Sequence, residues 1–212
     1  MSRECILCNS GSVFPLEFQN NRKYLKCGNC DLIFVPENLH LSVENEAARY
    51  RLHENSLSNE GYAGMFLEKI SLIGAHCGGV HSVLDYGCGP EPVLALLMKK
   101  EGFDCDFYDP IFFPLFPERS FDLVISTEVF EHFRDVRTEI ENIRSILAPS
   151  GFLAVMTSFH DTIQDFGKWW YRTDPTHICF FSWRTFEWIA YKFGFEIIYR
   201  NKKNFIILKL GS

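Results

Sequence analysis

The chain has 212 residues, 47% hydrophobic and 23% charged, with a formal net charge of −6. That mix suits one medium globular domain with a small appendage and needs no disulfides to hold its core, while the acidic balance argues against a broad phosphate-binding face, because nucleic-acid affinity rests largely on Lys and Arg. No stretch approaches the ~18 apolar residues of a membrane span, and Met1-Ser2-Arg3-Glu4-Cys5 leads into no apolar leader, so a cytoplasmic chain without a membrane partner is expected.

Eight cysteines in such a chain suggest metal binding or catalysis before disulfides. Cys5-Ile-Leu-Cys8 and Cys27-Gly-Asn-Cys30 are two CxxC pairs, 18 residues apart. Each knuckle lets two thiolates reach one ion, and two knuckles complete the closed tetrahedron of a structural zinc. Val13–Phe18 and Lys23–Lys26 should be short strands turning at Asn20-Asn21. The segment resembles a zinc ribbon over residues 1–35, too short to bury much core without its metal. Cys77, Cys88, Cys105 and Cys179 lack such spacing and read as small packed residues.

Residues 36–79 read as a polar helical cap. One helix should start over Glu44–Tyr50. Another should run from Tyr62 to Ile73, with Phe66, Ile70 and Ile73 on one face and Gly78-Gly79 after its end. Residues 80–212 then alternate strand and helix. Val83-Leu84-Asp85-Tyr86 runs into Gly87-Cys88-Gly89-Pro90, and a helix follows Pro92 with Val93, Leu94, Leu96 and Leu97 as its apolar side. Glycine belongs where backbone approaches a ligand closely, and the helix N-terminus behind the turn offers N–H groups to an anion. Pro92 stands where a dinucleotide fingerprint requires glycine, which counts against NAD or FAD. Phe103–Asp109 should be the second strand. Its terminal acid, 22 residues past Gly87, is placed to accept from ribose hydroxyls. Phe121–Ser126 should be the next strand and leads into Thr127-Glu128-Val129-Phe130-Glu131-His132. A helix with Val136, Ile140, Ile143 and Leu147 on one face should stop at Pro149-Ser150-Gly151, before a strand over Phe152–Met156. Ser182 should cap a helix from Trp183 to Phe193 ended by Gly194, and Phe195–Tyr199 with Phe205–Leu208 should close the sheet as a hairpin.

Asp85-Tyr-Gly87-Cys-Gly89 resembles the first motif of class I S-adenosylmethionine-dependent methyltransferases. Asp109 is similar to their ribose-binding acid, Phe121–Ile125 with Glu128–His132 to their fourth motif, and Pro149–Gly151 with the following strand to their fifth. The resemblance covers about residues 80 to 210. Tyr108-Asp109-Pro110 and the run from Asp174 to Ser182 resemble a subgroup of mostly unassigned substrate. It implies a doubly wound Rossmann-like α/β sheet and S-adenosylmethionine bound at Asp85, Gly87, Cys88, Gly89 and Asp109. The sequence departs from the pattern twice. Glu91 replaces the third loop glycine; an acid is electrostatically comfortable at a helix N-terminus, and it is also placed to repel the methionine carboxylate. Only eleven residues separate Asp109 from Phe121, too few for the usual helix and third strand.

Methyl transfer from a sulfonium needs alignment and exclusion of water, and a base only for a protonated nucleophile. Glu128 follows the fourth-motif strand and should sit by cofactor or substrate; favourable charge at the next helix N-terminus explains it equally well. Glu131 and His132 read as supporting or capping groups. The aromatics Trp169, Trp170, Tyr171, Phe180, Phe181 and Trp183 suit an apolar substrate pocket, or else a packed flap. His177 is the candidate base, oriented by Asp174; the alternative is a histidine bonded inside an aromatic lid. His53 is a weaker candidate for the same role. A small-molecule acceptor is expected. An RNA or protein substrate presented by the ribbon through Arg22, Lys23 and Lys26, and a non-catalytic scaffold, are the alternatives.

Overall fold

Residues 4–16, 22–51 and 60–211 are described by the structure, a computed structural model, the side chains of 60–63 excepted. His53 and the Asn20-Asn21 turn lie outside the described residues. The N-terminal strands are β1 (Val13–Leu16), β2 (Tyr24–Cys27) and β3 (Ile33–Phe34). Helices α1 (Val43–Tyr50) and α2 (Glu60–His76) follow. The alternating segment runs β4 (Ser82–Tyr86), α3 (Val93–Lys100), β5 (Asp104–Tyr108), β6 (Phe121–Thr127), α4 (Val136–Ser145) and β7 (Leu147–Met156). It ends with β8 (Cys179–Phe180), α5 (Trp183–Phe193), β9 (Phe195–Arg200) and β10 (Phe205–Leu210).

The main sheet has six strands in the order β5-β4-β6-β7-β10-β9. The first four run parallel, and β10 lies antiparallel between β7 and β9. Side chains alternate between two cores, as the period of two requires. On β7, Leu153 and Val155 pack on the α4–α5 face while Ala154 and Met156 pack on the α2–α3 face. Residues 110–120 hold a single bridge, Asp109 to Phe113, and no strand, so β5 is the sheet edge and the expected loss of the third strand is met.

Local chemistry explains most boundaries. Ser182 and Thr185 form a reciprocal capping box at the start of α5, and Gly194 ends it at φ 74°. The end of α4 differs from expectation. The helix stops at Ser145, and Leu147 opens β7 opposite Phe121. Pro149-Ser150-Gly151 is therefore an irregularity inside the β6–β7 ladder, with Ser150 at φ 60°, rather than a helix stop. A Cβ on Gly151 would lie 2.8 Å from the Ala148 carbonyl oxygen, so only glycine lets the strand close there.

The N-terminal strands do not stand apart from this sheet. β3 pairs antiparallel with β8, Ile33 opposite Phe180, giving a second sheet ordered β1-β2-β3-β8. Val35 N–H donates to the Ile178 carbonyl at 2.8 Å. Leu7, Tyr24, Leu32 and Phe34 share one apolar core with Phe130, Phe159 and Phe181. A boundary at residue 35 thus crosses a continuous sheet and a continuous core. Among the described residues no helix is long and apolar enough to cross a membrane.

Candidate functional site

The two CxxC pairs converge. Cys5 and Cys30 sulfurs lie 3.5 Å apart, and Cys8 and Cys27 sulfurs 3.4 Å apart. All four lie within 4.8 Å of one another. Zn–S bonds of ~2.3 Å place tetrahedral sulfurs about 3.8 Å apart, so the donor set fits the ion. The two knuckles repeat one backbone form: Asn9 N–H donates to the Cys5 carbonyl and Asp31 N–H to that of Cys27, with Asn9 and Asp31 both left-handed at φ 55° and 66°.

A cavity of about 680 Å³ opens at the carboxyl ends of β4, β5 and β6, where parallel α/β sheets bind ligands. Its walls include Asp85, Gly87, Cys88, Gly89, Asp109, Glu128, Asp174 and His177, so the structure brings these expected cofactor and catalytic residues to one place. Val43, Glu46 and Tyr50 of α1 also line it, as do Trp170 and Tyr171.

At one end lies the glycine turn. Gly87 sits at φ 85°, and a Cβ there would meet both Val129 methyls at 2.5 Å. The amides of Gly87 and Cys88 both donate to the Tyr108 carbonyl. Asp85 is buried and accepts from Ala95 N–H in the first turn of α3. Burial pushes its carboxyl up to about 7. The α3 N-terminus is thereby partly filled by Asp85, a correction to its reading as an open anion site. Asp109 is also committed to the backbone. Its Oδ2 accepts from Gly89 N–H at 3.0 Å, and its Oδ1 from Ile111 and Phe112 N–H at 2.8 and 3.0 Å. Of the four lone-pair directions of a carboxylate, three are taken by these amides and one remains open. Glu91 is exposed at the cavity wall.

At the other end stand Glu128, Glu131, His132, Tyr171 and His177. Glu128 leaves β6 in a left-handed conformation, φ 54°, that a non-glycine residue adopts at a cost. It accepts from the Tyr171 hydroxyl at 3.2 Å. Glu128 has accessible surface, as a cavity-lining residue must, but protein packs round it; burial and then the charge of Glu131 push its carboxyl well above the usual 4.5. Glu131 is fully buried, and its Oε2 accepts from the Thr157 hydroxyl at 2.9 Å.

Asp174 does not orient His177. It is held by a bidentate Arg49 guanidinium and by the Thr176 amide and hydroxyl. The His177 Nδ1–H donates instead to the Tyr171 carbonyl at 2.7 Å. Burial, then the neighbouring His132, lower His177 to about 3. His132 has the same arrangement, its Nδ1–H donating to the Thr176 carbonyl at 2.9 Å. The two rings lie 4.9 Å apart.

Of the six aromatics expected round a substrate, Trp170 and Tyr171 line the cavity, while Trp169, Phe180 and Phe181 are buried in the core. Trp183 packs under Arg200. Sequence reasoning undervalued His132 and Glu131, whose signal was their place at a strand end beside Glu128. It missed Arg49, Tyr50 and the clamp made by Arg22. The Arg22 guanidinium donates to four carbonyls of the His177 segment, those of Arg172, Asp174, Pro175 and His177. Nothing local to residue 22 announces a partner 150 residues away.

The family model for a methyltransferase domain matches residues 49–200. The chain belongs to that family, and it is an S-adenosylmethionine-dependent methyltransferase enzyme with the class I Rossmann-like fold. Among solved structures it is similar to the N-methyltransferase NodS from Bradyrhizobium japonicum WM9 in complex with S-adenosyl-L-homocysteine. The identity is 14%, covering 79% of this chain and 98% of that one, with a TM-score of 0.53. It is also similar to the plantazolicin methyltransferase BpumL, at 12% identity, covering 80% of this chain and 91% of that one, with a TM-score of 0.50. At these identities the likeness is one of fold. No curated protein matches the sequence.

Proposed function

We propose that this enzyme methylates an oxygen, nitrogen or carbon of a small-molecule metabolite inside the cavity. The observation that carries this reading is the two-ended cavity itself, with a glycine turn at one end and Glu128, His132, Tyr171 and His177 at the other. The bound cofactor supplies a sulfonium methyl with a good leaving group. Gly87, Cys88 and Gly89 present backbone to it, Asp109 offers its remaining lone pair to the ribose, and Asp85 holds the turn against α3. Glu91 is the residue that opposes the methionine carboxylate.

The acceptor lies toward His177 and His132. Each ring has its Nδ1–H tied to a carbonyl, so each Nε2 keeps a lone pair. A histidine lowered to about 3 is a poor proton acceptor near neutrality. His177 therefore orients an acceptor O–H or N–H through Nε2. Glu128, whose affinity for protons is raised, is the group suited to take the proton. Helix α1, through Glu46 and Tyr50, and the buried ring of Tyr171 wall that end of the cavity and limit water around the aligned groups.

Structural zinc held by Cys5, Cys8, Cys27 and Cys30 is part of the same proposal, within an N-terminal unit of residues 1–35 followed by a 36–79 cap. The ribbon's role is to hold the His177 segment rather than to present a polymer. Arg22 is occupied by four carbonyls, and Lys26 pairs with Asp31 at 2.8 Å, which leaves little of the basic patch for RNA phosphates. Incubation with methyl-labelled cofactor and a fractionated cell extract tests the reading. Label is expected in the small-molecule fraction; label confined to RNA or protein refutes it.

A further inference from the structure

Imidazoles with one nitrogen tied down and the other left bare are the form in which histidine serves as a metal ligand. His132 and His177 both take that form, and the partner of each Nδ1–H is a backbone carbonyl that accepts only, which fixes the tautomer. Beside them stands Glu131. Its side chain is fully buried, Oε2 is satisfied by Thr157, and Oε1 has no hydrogen-bond partner. Leaving a buried carboxylate oxygen unpartnered costs about 1–3 kcal/mol or more. The oxygen that lacks a partner is the one that faces the bare Nε2 of His132.

One ligating atom of each of these residues lies within 4.8 Å of those of the other two, and His132 Nε2 is 4.0 Å from Glu131 Oε1. Bonds of ~2.0–2.2 Å to a first-row ion bring ligand atoms to about 3–3.5 Å. The rings and carboxylate need only close in by side-chain rotation. We propose that Glu131, His132 and His177 bind a divalent transition-metal ion, of the zinc or cobalt kind, at the acceptor end of the cavity.

Two nitrogens and one carboxylate leave coordination positions open, as in catalytic rather than structural sites. His177 lines the cavity, so the open positions face it. A methyl acceptor's oxygen bound there loses its proton more readily, because the ion stabilises the anion. The ion takes over the orienting role given above to the bare nitrogens, and Glu128 remains beside it. Binding of the ion rests on no assumption about methyl transfer.

The test is cobalt titration of the intact chain. Ions in the Cys5, Cys8, Cys27, Cys30 site show sulfur-to-cobalt charge-transfer absorption; ions on His132, His177 and Glu131 show weaker d–d bands without it. One equivalent of the second kind is expected. His132→Ala and His177→Ala should remove it while the thiolate band persists. Glu131→Gln, which keeps the bond from Thr157, should weaken it beyond the ~10–100-fold typical of outer-sphere partners. Zinc should compete for the same equivalent. Titration of the wild-type chain that yields only the thiolate-type signal overturns the proposal, and needs no variant to fold. So does a second equivalent that survives both histidine substitutions.

Discussion

Replacing Asp109 by Asn tests the glycine turn and the cofactor site together. In the wild type Oδ2 accepts from Gly89 N–H, and Oδ1 accepts from the amides of Ile111 and Phe112. Asparagine keeps one oxygen, which stays with the two amides on Oδ1. Its NH2 then faces the Gly89 N–H, donor against donor. The lost bond is one to a charged group in a buried position, worth about 1.5–3 kcal/mol. For a chain of this length each kcal/mol moves Tm by ~2–4 °C, so a fall of about 3–12 °C is expected in thermal unfolding. The charge-assisted contact to the ribose goes too, and Gly89 shifts. By the rule of ~1.4 kcal/mol per decade, Kd for S-adenosylmethionine should rise about 10- to 100-fold. Isothermal calorimetry reads this directly. An unchanged Tm would refute the hydrogen-bond account of the turn. A lowered Tm with an unchanged Kd would leave Asp109 a strut and put the ribose elsewhere.

Gly87→Ala should be the harsher change at the same turn: its φ of 85° and the 2.5 Å approach to Val129 leave no room for a methyl, so calorimetry should detect no cofactor binding. Glu128→Gln probes the proton acceptor. The folded carboxyl is raised above 4.5, so it loads a proton as pH falls through that raised value, and the acid limb of the rate profile should lie above the ordinary glutamate range; the variant should lose that limb along with most of its turnover, and a profile identical to the wild type rules Glu128 out. Cys27→Ser should release zinc by elemental analysis. Because β3 pairs with β8, hydrogen exchange should quicken over residues 170–180 as well as in the ribbon, and protection unchanged there would show the two to be uncoupled.

The order of the main sheet was legible because each strand carries its own signal. Val83–Tyr86 and Phe121–Ser126 are short apolar runs bounded by turns, and the capped helix Trp183–Phe193 has both Ser182 and Gly194 at its ends. The loss of the third strand was legible from chain length alone, since eleven residues cannot cross a sheet and return. The four cysteines were legible because a metal site of this kind is written in local spacing. What no local pattern carries is which side chain answers which backbone group across long separations. That is why Asp174 reads as the partner of His177 three residues on, whereas Arg49, brought over the cavity by α1, takes the carboxylate instead. The same holds for Arg22, whose clamp on the His177 segment exists only because β3 docks on β8. Sequence supplies groups and their intrinsic chemistry; burial, lone pairs and tautomers are fixed by the neighbours that packing delivers. His132 and Glu131 pass from supporting residues to the centre of the site for that reason: one has its Nδ1–H tied to a carbonyl 44 residues away, and the other has a carboxylate oxygen sealed in the core without a partner.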